Sequence, residues 1–323
     1  MHEREPIGPR PSPRGLPADG AAGDGRALRA PGLNEAADGG EPKTSVSERP
    51  AGTSLAFRTL SQIFIEHQGY VSDKWEHYLA IYDSAFARFI ARGQPVRLLE
   101  IGVQNGGSLQ IWSKYLPRGS SVVGVDIDPA CAGFPTEPNI AIRIGDASDA
   151  EALNRMLGDA RFDIVVDDGS HRSEHVIATF KACFGRLDPG GLYVVEDVHC
   201  SYWASHGGGF RLPCTSMEWF KGLADALNAD HFEGDQSANL SDIEFKGLRE
   251  FGREIACVAF FDSVVLIEKL ESEKRAPYRR IVTGREAPVL DPGDWIPSFP
   301  APQLRAMLLP PSTAASFAPA LLA

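Results

Sequence analysis

The chain has 323 residues, 43% of them hydrophobic and 23% charged, enough apolar material for one large or two modest domains. Lys and Arg number 32 against 43 Asp and Glu, a formal charge of −11. That acidic excess excludes the basic face needed to bind nucleic-acid phosphates or an anionic membrane surface.

No uncharged apolar run approaches the roughly 18–20 residues of a spanning helix, and Met1–Gly20 lacks the apolar stretch of a secretory signal. The five cysteines, Cys131, Cys183, Cys200, Cys214 and Cys257, are scattered and never spaced C-x-x-C. A disulfide framework or structural zinc site is therefore not expected, and the reading is a cytoplasmic protein.

Residues 1–51 are dominated by Pro, Gly, Ala and Arg with no apolar period, and are expected to be a disordered tail. Apolar residues at helical spacing follow in Leu55–His67 and Asp73–Arg92. The second helix is expected to carry Leu79, Tyr82, Phe86, Phe89 and Ile90 on one face, with Ser72-Asp73 as its cap. Next come the strands Val96–Ile101, Ser121–Asp126, Ile140–Ile144, Phe162–Asp167 and Gly191–Glu196. Helices Ser108–Tyr115, Asp149–Leu157 and His171–Leu187 alternate with them, and Thr215–Leu227 follows. Two last apolar runs, Ile255–Phe261 and Ser263–Glu268, flank Asp262 as an antiparallel hairpin. Continuous Val/Ile/Leu strands between helices predict a doubly wound α/β domain over residues 52–272, its mostly parallel sheet covered on both faces. Residues 273–323 are expected to be a Pro-rich tail, in which Trp295 and Phe299 stand out.

In an open parallel sheet, ligands bind beyond the carboxyl ends of the strands. The first strand runs into Glu100-Ile-Gly102-Val-Gln-Asn-Gly106-Gly-Ser108. Gly102 and Gly106 permit a tight turn and close backbone approach. The spacing is not the G-x-G-x-x-G of a dinucleotide site, which argues against a nicotinamide-dependent oxidoreductase. An acid in front, Glu100, suits a cationic ligand group better than a phosphate. Asp126 ends the second strand about 20 residues on, where an acid accepts ribose hydroxyls. Asp146 follows the third strand, placed for an adenine amino group. These describe an adenosine with a charged, phosphate-free tail, as in S-adenosylmethionine.

The fourth strand ends Asp167-Asp168-Gly-Ser170-His171 and the fifth Glu196-Asp197-Val-His199. Consecutive acids after valine runs are unfavourable unless something compensates them. If the strands are neighbours, Asp168, Glu196 and Asp197 converge as an oxygen ligand set for a hard cation such as Mg²⁺. Helix capping by Asp168 or Ser170 is expected alongside. His171 and His199 both remain candidates for a catalytic base, and His175 is read as a packing or surface residue.

These motifs resemble the metal-dependent, S-adenosylmethionine-dependent sugar O-methyltransferases of macrolide and tetracenomycin biosynthesis, with the rhamnosyl O-methyltransferases and cephalosporin-hydroxylase-like proteins as relatives. The resemblance spans roughly Gly69–Lys269. It rests on Asp73-Lys74 with His77-Tyr78, Leu99-Glu-Ile-Gly-Val-x-x-Gly-Gly-Ser108, Val166-Asp-Asp-Gly-Ser-His171 and Gly190-Gly-Leu-Tyr-Val-Val-Glu-Asp197. It implies a seven-stranded Rossmann-like class I methyltransferase sheet. It also implies Mg²⁺ on Asp168, Glu196 and Asp197, and His171 as general base. Asp167 then contacts the cofactor, and Glu100, Gly102, Ser108 and Asp126 fall in the cofactor turns. The implied reaction is methylation of a hydroxyl on a sugar or sugar-bearing small molecule, of natural-product or glycan type, by an enzyme whose relatives often form homo-oligomers. A catechol-like acceptor, or a catalytically silent cofactor-binding module, stays open on the residues alone. Ser201–Thr215 matches no family pattern; its Trp203 and Phe210, with Trp219, are read as an apolar wall or lid hinged at Gly207-Gly208-Gly209, with ordinary helix core as an equal alternative for Trp219.

Overall fold

The computed structural model describes residues 58–133, 137–232, 250–272, 274 and 288–289. The tail over residues 1–51 lies outside them, as does nearly all of 273–323, including Trp295 and Phe299. Among the described residues no helix is long and apolar enough to cross a membrane.

Seven strands form one sheet: β1 (Arg97–Ile101), β2 (Ser121–Asp126), β3 (Ile140–Ile144), β4 (Phe162–Asp167), β5 (Leu187–Val195), β6 (Ile255–Phe261) and β7 (Val264–Lys269). Their order is β3-β2-β1-β4-β5-β7-β6, with β1 to β5 parallel and β7 antiparallel to both β5 and β6. The chain starts at the sheet's middle, walks outward to β3, then returns to place β4 against β1 on its other side. That reversal opens a crevice beyond the carboxyl ends of β1 and β4.

The strands read as continuous apolar runs because both faces are covered. Leu98, Ile164, Val166 and Val194 join one core with Tyr82 and Phe86 of α2 (Glu76–Arg92) and Trp112 of α3 (Gly107–Tyr115). Short α1 (Leu60–Ile65), held by a Thr59–Gln62 capping box, adds Leu60 and Ile63 to that core. Leu99, Val165, Tyr193 and Val195 join a second core with Leu153 of α4 (Ala150–Leu157), Phe180 of α5 (Ser173–Cys183) and Phe220 of α6 (Ser216–Leu227). Asp149 and Thr215 cap α4 and α6 through their side chains. Trp219 packs among Phe180, Phe220 and Phe251, so it belongs to this layer and not to a lid.

Three departures from the sequence reading shape the site. Helix α2 begins at Glu76 after Trp75, with no side-chain cap, so Ser72-Asp73 caps nothing and residues 72–75 run extended instead. Helix α5 begins at Ser173, again without a side-chain cap, which frees Asp168 and Ser170 from the expected capping role. Strand β5 begins four residues early because Leu187 already pairs with Phe162, the ladder shifting register before Ile164 pairs with Leu192.

Candidate active site

Gly102 turns the chain out of β1 with φ +93°, and a Cβ there would sit 2.1 Å from the Asp168 carbonyl oxygen. No other residue lets the β1 and β4 exits approach this closely without strain. The next turn is equally tight, since a Cβ on Gly107 would lie 2.3 Å from the Tyr70 carbonyl oxygen. Between these turns and the ends of β2 and β3 lies a cleft of about 810 Å³, lined by Gly102, Ser108, Asp126, Asp146, Asp167 and His171 among others. That volume suits a nucleoside-sized ligand.

Asp126 reaches back over the glycine turn. Its Oδ2 accepts the backbone N–H groups of Val103 (2.7 Å) and Gln104 (3.0 Å), and Oδ1 that of Asp128 (2.8 Å). Burial opposes its ionisation, but the Asp128, Gln104 and Val103 N–H groups outweigh that and hold it below the ordinary carboxylate range. Most of the acceptor capacity of the carboxylate is thereby spent on its own loop. Asp146 lies opposite; hydrogen bonds from Ser148 keep it ionised, against a small desolvation effect. Asp167, held by the Tyr193 hydroxyl at 3.2 Å, is pushed up to about 7 by burial.

Glu100 sits elsewhere than expected. It is fully buried and absent from the cleft wall, as is Gly106, which serves as the N-cap of α3. Ser108 donates to Glu100 Oε2 at 2.7 Å, and the cation facing Oε1, at 3.7 Å, is the ammonium of Lys74. The anionic partner sought for a ligand amine is thus engaged by the protein's own lysine. Burial pushes Glu100 up to about 7, with Lys74 opposing.

Lys74 is the residue whose role the sequence reading missed. Its Nζ, 5% exposed, also pairs with Asp168 Oδ2 at 2.5 Å and Glu196 Oε1 at 2.6 Å. Burial works against its charge, but Glu196, Asp168 and Glu100 together raise it well above the ordinary lysine value. Tyr82 donates to the same Glu196 oxygen, and Tyr78 donates to Asp197 Oδ1 at 2.7 Å. Lys74, Tyr78 and Tyr82 are four residues apart, so the extended strap and the first turns of α2 present three donors in a row to the ends of β4 and β5. Sequence patterning had counted Tyr82 as one more apolar helix position.

With β4 and β5 paired, the predicted acids come together in two groups. Asp168, Asp197 and His171 offer ligand atoms all within 4.8 Å of one another. His171 Nε2 lies 3.7 Å from Asp168 Oδ1 and 3.6 Å from Asp197 Oδ2. Glu196 is not in this group; it faces Lys74 and Tyr82, and burial raises its pKa, with Asp168 adding to the shift. Burial pulls His171 below the ordinary histidine value, against the raising fields of Asp168 and Asp197. Both His171 and Asp197 adopt positive φ, +55° and +50°. Such backbone conformations are unfavourable for side-chain-bearing residues and cluster at functional sites. His199 stands on the far side of Asp197, its Nδ1 3.8 Å from Oδ1 and engaged by the Ser263 hydroxyl. His175, half-exposed, contacts Ser170 Oγ at 2.9 Å.

Residues 99–198 match the sequence model of a family described as a methyltransferase domain. The chain is 44% identical over 169 residues to the 8-demethyl-8-alpha-L-rhamnosyl tetracenomycin-C 2'-O-methyltransferase of Streptomyces olivaceus, covering 49% of this chain and 43% of that protein. It is 35% identical over 199 residues to the Mycinamicin VI 2''-O-methyltransferase of Micromonospora griseorubida, covering 58% and 47%. It superposes on the crystal structure of the MycE methyltransferase from the mycinamycin biosynthetic pathway, in complex with Mg, SAH and mycinamycin VI. That match has a TM-score of 0.55 and 31% identity, over 67% of this chain and 54% of the other. The sheet is therefore that of the class I methyltransferases. The chain spans about half the length of the curated relatives it matches.

Two outcomes test this electrostatic arrangement. Lys74→Met leaves Glu196 and Glu100 buried without their cation, and urea unfolding at pH 8 is expected to show a loss of about 3–5 kcal/mol. The loss should shrink at pH 5, where the carboxyls take up protons instead; an unchanged midpoint at pH 8 contradicts the pairing. Because the folded state raises the pKa of Glu100, its contribution to stability is full below the unfolded value near 4.3 and falls as pH climbs through about 7. Glu100→Gln is expected to flatten the stability–pH curve between pH 5 and 7 by up to about 1.4 kcal/mol per pH unit.

Proposed function

We propose that this chain transfers a methyl group from S-adenosylmethionine to a hydroxyl of a sugar or sugar-bearing small molecule, assisted by a divalent cation. The observation that carries the reading is the meeting of Asp168, Asp197 and His171 at the wall of a nucleoside-sized cleft. The names of the similar proteins, O-methyltransferases of rhamnosyl tetracenomycin and mycinamicin, point to the acceptor class. The reported Mg and SAH in the similar crystal structure point to the two bound groups.

The residues fit both. The carboxylates are hard oxygen donors, the choice of Mg²⁺. Each of the two proposed carboxylate ligands is held by an outer partner, Asp168 by Lys74 and Asp197 by Tyr78, an arrangement that orients ligands and tunes a metal. Asp168 and Asp197 would hold the cation, while Glu196, expected from the sequence as a third carboxylate, faces Lys74 and Tyr82 instead. Gly102 and Asp126 would hold the nucleoside portion of the cofactor, beside Asp146 and Asp167. When bound, S-adenosylmethionine supplies the methyl group and the cation lowers the pKa of a coordinated hydroxyl.

His171 Nε2, set between Asp168 and Asp197, takes the hydroxyl proton. Asp168 and Asp197 stabilise the imidazolium that results, and the positive φ of His171 aims its ring at them rather than along α5. Most of the acceleration in such a site comes from holding the reacting atoms together, a contribution of about 7 kcal/mol or more.

Turnover measured with labelled cofactor and a glycoside acceptor is expected to vanish in EDTA and return with Mg²⁺; full activity in chelator contradicts the metal role. His171→Gln is expected to lower turnover by about 10²–10⁴-fold while leaving cofactor affinity, measured by calorimetry, within threefold of wild type. If His199→Gln has that effect instead, the base is misassigned.

A further inference from the structure

Two tryptophans stand half-exposed beside the carboxylate group, Trp75 (52%) and Trp203 (49%). They come from segments far apart in sequence, yet they flank one imidazole. The Trp203 and His199 ring centroids are 4.7 Å apart at 70°, and those of Trp75 and His199 6.0 Å apart at 89°. His199 in turn reaches Asp197 Oδ1, whose partner oxygen faces His171. The indoles are thus one residue removed from the reacting groups. Neither lines the cleft, whereas Asp197 and His171 do. The carboxylate group therefore has a nucleoside-sized cavity on one flank and an aromatic wall on the other.

The backbone that carries Trp203 is tied down by hydrogen bonds. The Trp203 N–H donates to the Cys200 carbonyl (3.0 Å), and its own carbonyl accepts from His206 (3.0 Å) and Gly208 (2.8 Å). A Cβ on Gly208 would lie 2.3 Å from the Ser201 carbonyl oxygen, and Gly209 donates to that same oxygen at 2.9 Å. The glycine run read as a hinge is a pinned turn that lets the chain fold back beneath Trp203. Trp75 follows Lys74, whose ammonium is anchored on Asp168 and Glu196. Two half-exposed indoles flanking one imidazole form a paired apolar surface at the edge of the carboxylate group.

We infer that Trp203 and Trp75 form the acceptor subsite, a stacking wall for the hydroxyl-poor face of a pyranose ring whose reacting hydroxyl points toward Asp197 and His171. This inference rests on the proposed methyl transfer and names the part of the site that selects its acceptor. The electron-rich faces of the indoles attract the weakly positive C–H groups of such a ring. The interleaved imidazoles, His199 between the two tryptophans and His206 beside Trp203 at 5.6 Å, supply polar edges for hydroxyls. A purely apolar partner would leave those edges unpaired. The chain's charge of −11 disfavours a nucleic-acid base as occupant.

The test uses the full chain with methyl α-L-rhamnopyranoside as probe. Saturation-transfer NMR, which needs no turnover, is expected to show contact to the ring C–H protons. Affinity should fall about three- to tenfold in Trp203→Ala and in Trp75→Ala and recover partly in Trp203→Phe. Binding of S-adenosylhomocysteine by calorimetry is expected to stay at the wild-type value in all three. Both indoles are half-exposed, and unchanged thermal midpoints verify folding. Absence of transfer to the wild type, or equal affinity in the alanine variants, overturns the subsite. Loss of S-adenosylhomocysteine binding by the wild type overturns the methyl-transfer reading instead, so the two failures are distinguishable.

Discussion

One buried ammonium holds the functional end of this sheet together. Lys74 lies within ion-pair distance of Glu100, Asp168 and Glu196, which leave the carboxyl ends of three neighbouring strands. Acids that close and that desolvated repel one another and resist ionisation. A cation from outside the sheet lets the strand ends converge. The lysine is delivered by the segment between α1 and α2, which presses against the glycine turn at Gly107. Cofactor turn, carboxylate group and strap are therefore parts of one electrostatic unit, and it reaches beyond residues 99–198, where the methyltransferase-domain match begins and ends.

Within this unit the acids have separate tasks. Asp126 is spent mainly on ordering its own loop, Glu100 and Glu196 balance Lys74, and Asp168 serves two neighbours at once, with Oδ2 on Lys74 and Oδ1 toward His171. Asp197 is similarly divided between Tyr78 and His171. A carboxylate pinned through one oxygen presents the other in a fixed direction, which is what a metal or a catalytic imidazole requires of its neighbours.

The sheet was legible in the sequence because parallel strands buried on both faces must be continuous apolar runs. β2, β3, β4 and β6 coincide with the segments read from composition alone. The helix starts were less legible. Ser72-Asp73 and Asp168-to-Ser170 look like caps by residue type, but the strap and the β4 exit are held by tertiary contacts that override local preference. Strand adjacency foretold the meeting of Asp168 with Asp197, but it also placed Glu196 with them, where the structure puts His171 instead. The burial of Glu100 against Lys74 was not foretold, because the partner lies in a different segment and nothing local marks it. The spacing of Lys74, Tyr78 and Tyr82 carried that signal, hidden because tyrosine reads as an apolar residue while its hydroxyl does the work. For Trp219, which the sequence left open between lid and helix core, the packing among the rings of the helical layer decides for the core.

The carboxylate group thus stands at the wall of a cleft of about 810 Å³, with the half-exposed indoles of Trp75 and Trp203 nearby and Lys74 as its internal counter-charge. The most direct check is anomalous diffraction from crystals of the full chain grown with Mn²⁺ and S-adenosylhomocysteine. The account predicts a single strong peak within about 2.5 Å of carboxylate oxygens of Asp168 and Asp197, with the nucleoside density beside Asp126. A peak elsewhere, or none while the cleft is filled, would contradict it.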